Sequence, residues 1–177
     1  MVRLLPLTPE VHIQVLLWAE KPELREYFRR SPPIMDWATT VDKAMGWCYV
    51  IYEDLKPVGI VQLLNQESQA RSIETAVMVD KDLCSDRKLV SLQIYKQIAQ
   101  YIFFYMDYNK MYMKILAHRE KLASRLKSGN WIVEARLRRS CKFEGQLVDE
   151  LVLGLLKEDY KLWVQEQQEQ QEPQALL

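Results

Sequence analysis

The chain has 177 residues, enough for one domain with a substantial core, and its 49% hydrophobic and 27% charged content is that of a folded soluble protein. Lys plus Arg equals Asp plus Glu at 24 each, so the zero net charge gives no support to a polyanion-binding or nucleic-acid-binding protein. Three dispersed cysteines and two histidines supply no metal-ligand spacing, no disulfide framework and no Cys–His nucleophile pair, which fits a reducing, cytoplasmic setting.

In chain order, "VRLLPL" (2–7) reads as a short strand. Thr8 then stands as a helix N-cap with Pro9 at the first helical position, and Val11, Val15, Leu16 and Trp18 mark an amphipathic helix to about Lys21. Pro6 and Pro9 interrupt any signal-peptide core, and the longest apolar runs contain Gln, Lys or Asp, so no transmembrane segment is expected. Short helices are expected over 22–30 and 35–45.

The period then changes. "WCYVIYE" (47–53), a turn at 54–57, "VGIVQLL" (58–64), a polar loop at 65–71 and "SIETAVMV" (72–79) read as a three-stranded antiparallel meander. A helix over 89–105, a strand over 110–117 and a helix over 118–129 with Gly129 as C-cap follow. The stretches 131–138 and 149–160 read as two last strands, the second with a strand-to-helix end as the alternative. Residues 1–163 form the expected single domain, and the Gln/Glu-rich tail 164–177 is either a frayed helix or disordered. The fold class is therefore α+β, one mixed, mostly antiparallel sheet of six to seven strands with helices on both faces.

Two segments carry a family resemblance. "EDLKPVGIVQLL" (53–64) is a hairpin with a Pro-hydrophobic-Gly after its turn, and residues 131–160 combine an aromatic, Glu134, Leu137-Arg138, Gly145, Asp149, a Leu-Leu pair and an acidic-aromatic close. With the element order, these resemble the GCN5-related N-acetyltransferases (GNAT), most closely their ribosomal-protein-alanine branch. The resemblance implies acetyl-CoA as cofactor and an amine acceptor: a protein N-terminus, a lysine or a small amine. It places the cofactor against the fourth strand, with Val77 and Val79 among its neighbours, and the pyrophosphate on the loop that opens the next helix.

That loop is "DLCSDRKL" (82–89). A helix N-terminus favours an anion because its first-turn N–H groups are unpaired and its dipole is positive there. The family pattern Arg/Gln-x-x-Gly-x-Gly/Ala falls on Cys84, Arg87 and Leu89, so all three signature positions differ. Two readings of the residues stand. Ser85 with Asp86 is what an ordinary capped helix start looks like, whereas Arg87 and Lys88 can supply side-chain charge where glycine would expose backbone N–H groups. The cofactor-binding set implied is thus Val77, Val79, Ser85, Asp86, Arg87, Lys88 and Leu89.

Acetyl transfer to an amine requires a base and a donor to the departing thiolate. Glu74 occupies the position the family uses for a base or water-holder, against the alternative of a solvated or salt-bridged strand carboxylate. Alternation puts Glu74, Ala76 and Met78 on one face and Ile73, Thr75, Val77 and Val79 on the other. Ser124, or Ser128, is the hydroxyl left for the acid on a helix without tyrosine. "RLRRS" (136–140) reads as a solvated strand end or a helix-cap neighbour. Tyr95, Ile98, Ile102 and Phe103 recur at helical spacing and read as core, Trp18, Trp37, Trp47 and Trp131 read as core or pocket wall, and a Met/Tyr cluster over 101–113 reads as core filling, with a partner surface as the alternative. A catalyst and a GNAT-fold protein-interaction module without catalysis are the two functional classes that remain.

Overall fold

The computed structural model describes residues 2–21, 24, 48–80, 82–84 and 89–169. The helices expected over 22–30 and 35–45, residues Ser85–Lys88 of the loop, and residues 170–177 lie outside the described residues. Among those described, the elements are β1 (Val2–Pro6), α1 (Pro9–Glu20), β2 (Cys48–Glu53), β3 (Lys56–Glu67), β4 (Ser72–Val79) and α2 (Leu89–Gln100). A π-helical turn (Tyr101–Tyr105), β5 (Lys110–Leu116), α3 (Glu120–Lys127), β6 (Ile132–Phe143), β7 (Gln146–Leu156) and α4 (Lys157–Glu169) complete them. The strands follow the order β1-β2-β3-β4-β5-β7-β6. The chain packs as two compact units, Met1–Gln66 with Glu74–Ile98, and Glu67–Ile73 with Ala99–Leu177.

In the first unit, β1, β2 and β3 pair antiparallel in turn. The β2–β3 connection is two residues long, Glu53 standing opposite Lys56, and Asp54 takes the left-handed φ of 55° that such a tight turn demands. Thr8 is extended at the start of α1, and its carbonyl accepts from the N–H groups of Val11 and His12, both at 3.1 Å. Its side chain makes no cap bond to the backbone; it bonds the Glu10 carboxyl instead and holds that group below its usual range. The helix buries Val15 and Trp18 completely in a cluster with Leu7, Leu24, Cys48, Val50, Ile60 and Met78. Each fully buried side chain of this size contributes about 1.5–3 kcal/mol by leaving water.

In the second unit, β5 and β6 flank β7, both antiparallel to it. Glu144 (φ 46°) and Gly145 (φ 85°) close the β6–β7 hairpin between Phe143 and Gln146. Two successive left-handed residues make a type I′ turn, whose twist suits the strands. Both strands therefore extend further toward each other than 131–138 and 149 suggested, and β7 gives way to α4 at Lys157. The helix expected over 89–105 is α-helical only to Gln100; Met106 N–H then reaches back to the Tyr101 carbonyl, five residues away, at 3.1 Å.

The end of α3 corrects another expectation. Trp131 N–H bonds the Leu126 carbonyl and Asn130 N–H bonds that of Lys127, the paired bonds of a Schellman close. Its left-handed residue is Asn130 (φ 61°), not Gly129. Gly129 has a different reason to lack a side chain, because a Cβ there would lie 3.0 Å from the Trp163 ring. Trp163 and Tyr160 of α4 are buried, and Tyr160 lies 5.7 Å from Phe103, centroid to centroid. Of the Met/Tyr cluster, Met111 and Met113 are core, while Tyr105 is exposed.

Candidate functional site

β4 carries the first unit's chemistry. Its alternation is nearly lost in burial, because Ile73, Glu74, Thr75, Val77 and Met78 are all buried. Glu74, 7% exposed, is therefore not a solvated strand carboxylate. Asn65 Nδ2 donates to its Oε2 at 2.7 Å. Asn65 belongs to β3, where its φ of 41° breaks the extended backbone. An isolated left-handed residue in a strand interrupts the two-residue alternation, re-aiming side chains as a bulge does. The polar run 65–71, expected as a loop, thus begins inside a strand, and the turn is confined to 68–71.

Gly59 lets β3 come close to β4, since a Cβ at this position would stand 2.2 Å from the Met78 carbonyl oxygen and 3.0 Å from Val79 Cα. Val77 is buried and Val79 half-buried on the strand that the resemblance assigns to the cofactor.

Asp80, a residue absent from the expected site, follows the end of β4. It is 3% exposed, and its Oδ2 accepts from Lys21 Nζ at 2.6 Å. Its Oδ1 accepts from Asp82 N–H at 3.2 Å, its carbonyl from Leu83 N–H at 3.1 Å and from the Cys84 thiol at 3.4 Å. Its own N–H bonds the Val58 carbonyl at 2.8 Å. A buried carboxylate needs such compensation, and Lys21, just beyond α1, cancels its charge. The described start of the loop is an Asx turn whose N–H groups at 82 and 83 are engaged internally. The N–H groups of Asp82 and Leu83 are therefore not free to meet an anion, and Asp80 is paired with Lys21.

In the second unit, Ser124 is exposed on α3, as is Ser128 just after it. The basic run "RLRRS" is neither a strand end nor a cap neighbour. It lies inside β6 at an irregularity between Leu137 and Cys141, where Asp149 of β7 accepts from Arg136 Nε at 2.8 Å and Arg139 N–H at 2.9 Å. The Arg139 N–H, then Arg136, hold the Asp149 carboxyl below its usual range. Glu134 lies over Gly154, where a Cβ would meet its Oε1 at 2.4 Å, and pairs with Lys110 Nζ at 2.8 Å. These contacts tie β6 to β7 and to β5. Cys48, Cys84 and Cys141 are all free. Among the described residues no group of three His, Cys, Asp or Glu could hold a metal ion, and no helix is long and apolar enough to cross a membrane.

The element order and strand order define a GNAT fold, a seven-stranded mixed sheet with helices. A spermidine N-acetyltransferase from Vibrio cholerae, in complex with CoA and spermine, matches with a TM-score of 0.80 at 14% identity, over 90% of this chain and 98% of that one. A chimera of the Vibrio cholerae enzyme and hSSAT matches at 0.79 and 14%, over 90% and 98%. Mutant forms of the same spermidine/spermine N-acetyltransferase match at 0.76 and 15%, over 92% and 98%. No protein-family model and no curated protein sequence matches the chain. At such identities the likeness is one of fold.

Proposed function

We propose that this protein is an acetyl-CoA-dependent N-acetyltransferase acting on a small amine. The observation that carries the reading is Glu74, a buried carboxylate on β4 hydrogen-bonded by Asn65, to which the resemblance assigns the role of base or water-holder. An acceptor amine must lose a proton before it can attack, and a carboxylate in a poorly hydrated site accepts one directly or through a water. The solved structures of like fold are named for spermidine and spermine, which favours a small polyamine over a protein N-terminus as acceptor.

Two features of the described residues support a cofactor reading. Gly59 brings β3 against β4 beside Val79, and Lys21 neutralises the one buried carboxylate at the mouth of the loop. Acetyl-CoA would supply the activated acyl group. The strand at Val77 and Val79 would lie along it, and the backbone of the loop over Ser85, Asp86, Arg87, Lys88 and Leu89 would meet its pyrophosphate, with the side chains of Arg87 and Lys88 supplying the charge and standing in for loop glycines. Ser124 carries the hydroxyl assigned to protonating the departing sulfur.

Titration calorimetry with acetyl-CoA and CoA tests the cofactor, and thiol release with spermidine, spermine and an alanine-ended peptide tests the acceptor. Micromolar cofactor binding and turnover with a polyamine are expected. Glu74→Gln should lower kcat by about 10²–10⁴-fold, the usual worth of a general base, with cofactor affinity unchanged. No binding at millimolar cofactor would retire the enzyme and leave the protein-interaction module.

A further inference from the structure

We infer that Asn65 is a positioning residue for Glu74: its side-chain amide fixes the carboxylate's orientation for proton transfer, and the distorted backbone of β3 exists to aim it. This rests on the reading of Glu74 as base or water-holder.

Three observations converge on it. The contact is short, 2.7 Å from Nδ2 to Oε2, which is the length of a charge-assisted hydrogen bond. Its acceptor is 7% exposed, so water competes poorly for the carboxylate, and the amide, reaching in from exposed Asn65, is one of the groups that hold its orientation. The donor sits at φ 41° within β3, a conformation strands avoid. Asparagine is disfavoured in strands but is among the few residues with a side chain that tolerate left-handed backbone. One residue type thus satisfies two demands at position 65, a left-handed backbone and a donor on a short stem. A carboxylate able to rotate would spend much of its time misaligned, and a general base acts only within hydrogen-bond reach of the proton it takes.

The two demands can be separated. Asn65→Gly keeps the left-handed backbone and removes the donor. Asn65→Asp keeps the size and much of the backbone tolerance but sets an acceptor against Glu74. If Asn65 works through Glu74, Asn65→Gly lowers kcat by about tenfold to hundredfold while KM for acetyl-CoA stays within twofold. In a Glu74→Gln background the same change then has little further effect, because two residues acting as a unit are not additive. Asn65→Asp lowers kcat at least as far. A merely structural asparagine predicts otherwise: unchanged kcat in Asn65→Gly, or equal losses with and without Glu74, and either result overturns the proposal. The carbon-13 shift of the Glu74 carboxyl, identified by its loss in Glu74→Gln, gives a readout free of turnover. It should move in Asn65→Gly; an unmoved signal overturns the pairing. Wild-type protein without transferase activity but with a moved signal would sink the catalytic reading alone and leave the carboxylate held by Asn65.

Discussion

Replacing Gly59 by alanine introduces one methyl group against backbone, with no side chain able to move aside. The new Cβ would stand 2.2 Å from the Met78 carbonyl oxygen and 3.0 Å from Val79 Cα. A tolerable carbon–oxygen approach is about 3.3 Å, so β3 and β4 must separate locally by about 1 Å. The neighbouring bond from Asp80 N–H to the Val58 carbonyl, 2.8 Å long, stretches with them. Overpacking costs about 1–3 kcal/mol, and a clash between backbones belongs at the upper end. For a chain of this size, about 3 kcal/mol corresponds to a Tm lowered by about 6–12 °C. Gly154→Ala is the control, because its Cβ meets the Glu134 carboxylate, a half-exposed group that can swing away. That change sacrifices an ion pair with Lys110 worth about 0.2–1 kcal/mol, hence a loss of under about 4 °C. Scanning calorimetry of both variants decides the matter. A Gly59→Ala protein as stable as Gly154→Ala would refute the inference that β3 packs directly on the β4 backbone.

Asp80→Ala should destabilise by about 2 kcal/mol: breaking a buried ion pair costs about 3–5 kcal/mol, discounted because the Lys21 side chain is 36% exposed and regains water. Urea denaturation reads the loss, hydrogen exchange should quicken at Asp82 N–H, and a loss below about 0.5 kcal/mol would remove Asp80 as the anchor of the loop. Burial pushes the Cys48 thiol from 9.0 up to about 12. The unfolded chain therefore gives up this proton first as pH rises, so the thiol's contribution to stability is complete below pH 9.0 and falls away toward about 12. Denaturation of wild type and Cys48→Ala at pH 8 and 10 should converge, by about 1.4 kcal/mol per pH unit above 9.0, and parallel curves would contradict the burial of the thiol.

Local signals served well wherever a residue's environment is made by its sequence neighbours. Thr8-Pro9 marks the start of α1, although the threonine side chain turns to Glu10 and not to the backbone. The β-branched runs mark β2 and β4, and the spacing of Ile98, Ile102 and Phe103 marks a buried face. Punctuation misled where glycine was taken for conformational need. Gly129 makes room for Trp163 and Asn130 turns the chain, an exchange of roles that depends on α4 lying over the end of α3. The basic run 136–140 is exposed as expected, but it lies within a strand and not at its end, and its partner Asp149 stands on the next strand beyond a type I′ turn.

The candidate site divides in the same way. The order of strands and helices, the α+β class, the likeness to GNAT proteins and the placing of Glu74 on the fourth strand all come from period, caps and turn residues within a few positions of each other. Asn65 opposite Glu74 and Lys21 opposite Asp80 do not, because the second pair lies 59 residues apart in the chain and the first depends on one left-handed residue within a strand. A left-handed residue within a strand leaves no mark in hydrophobic alternation beyond an asparagine in an unusual place. Only the folded backbone decides which buried carboxylate meets which donor, since burial removes the water that would otherwise serve the carboxylate.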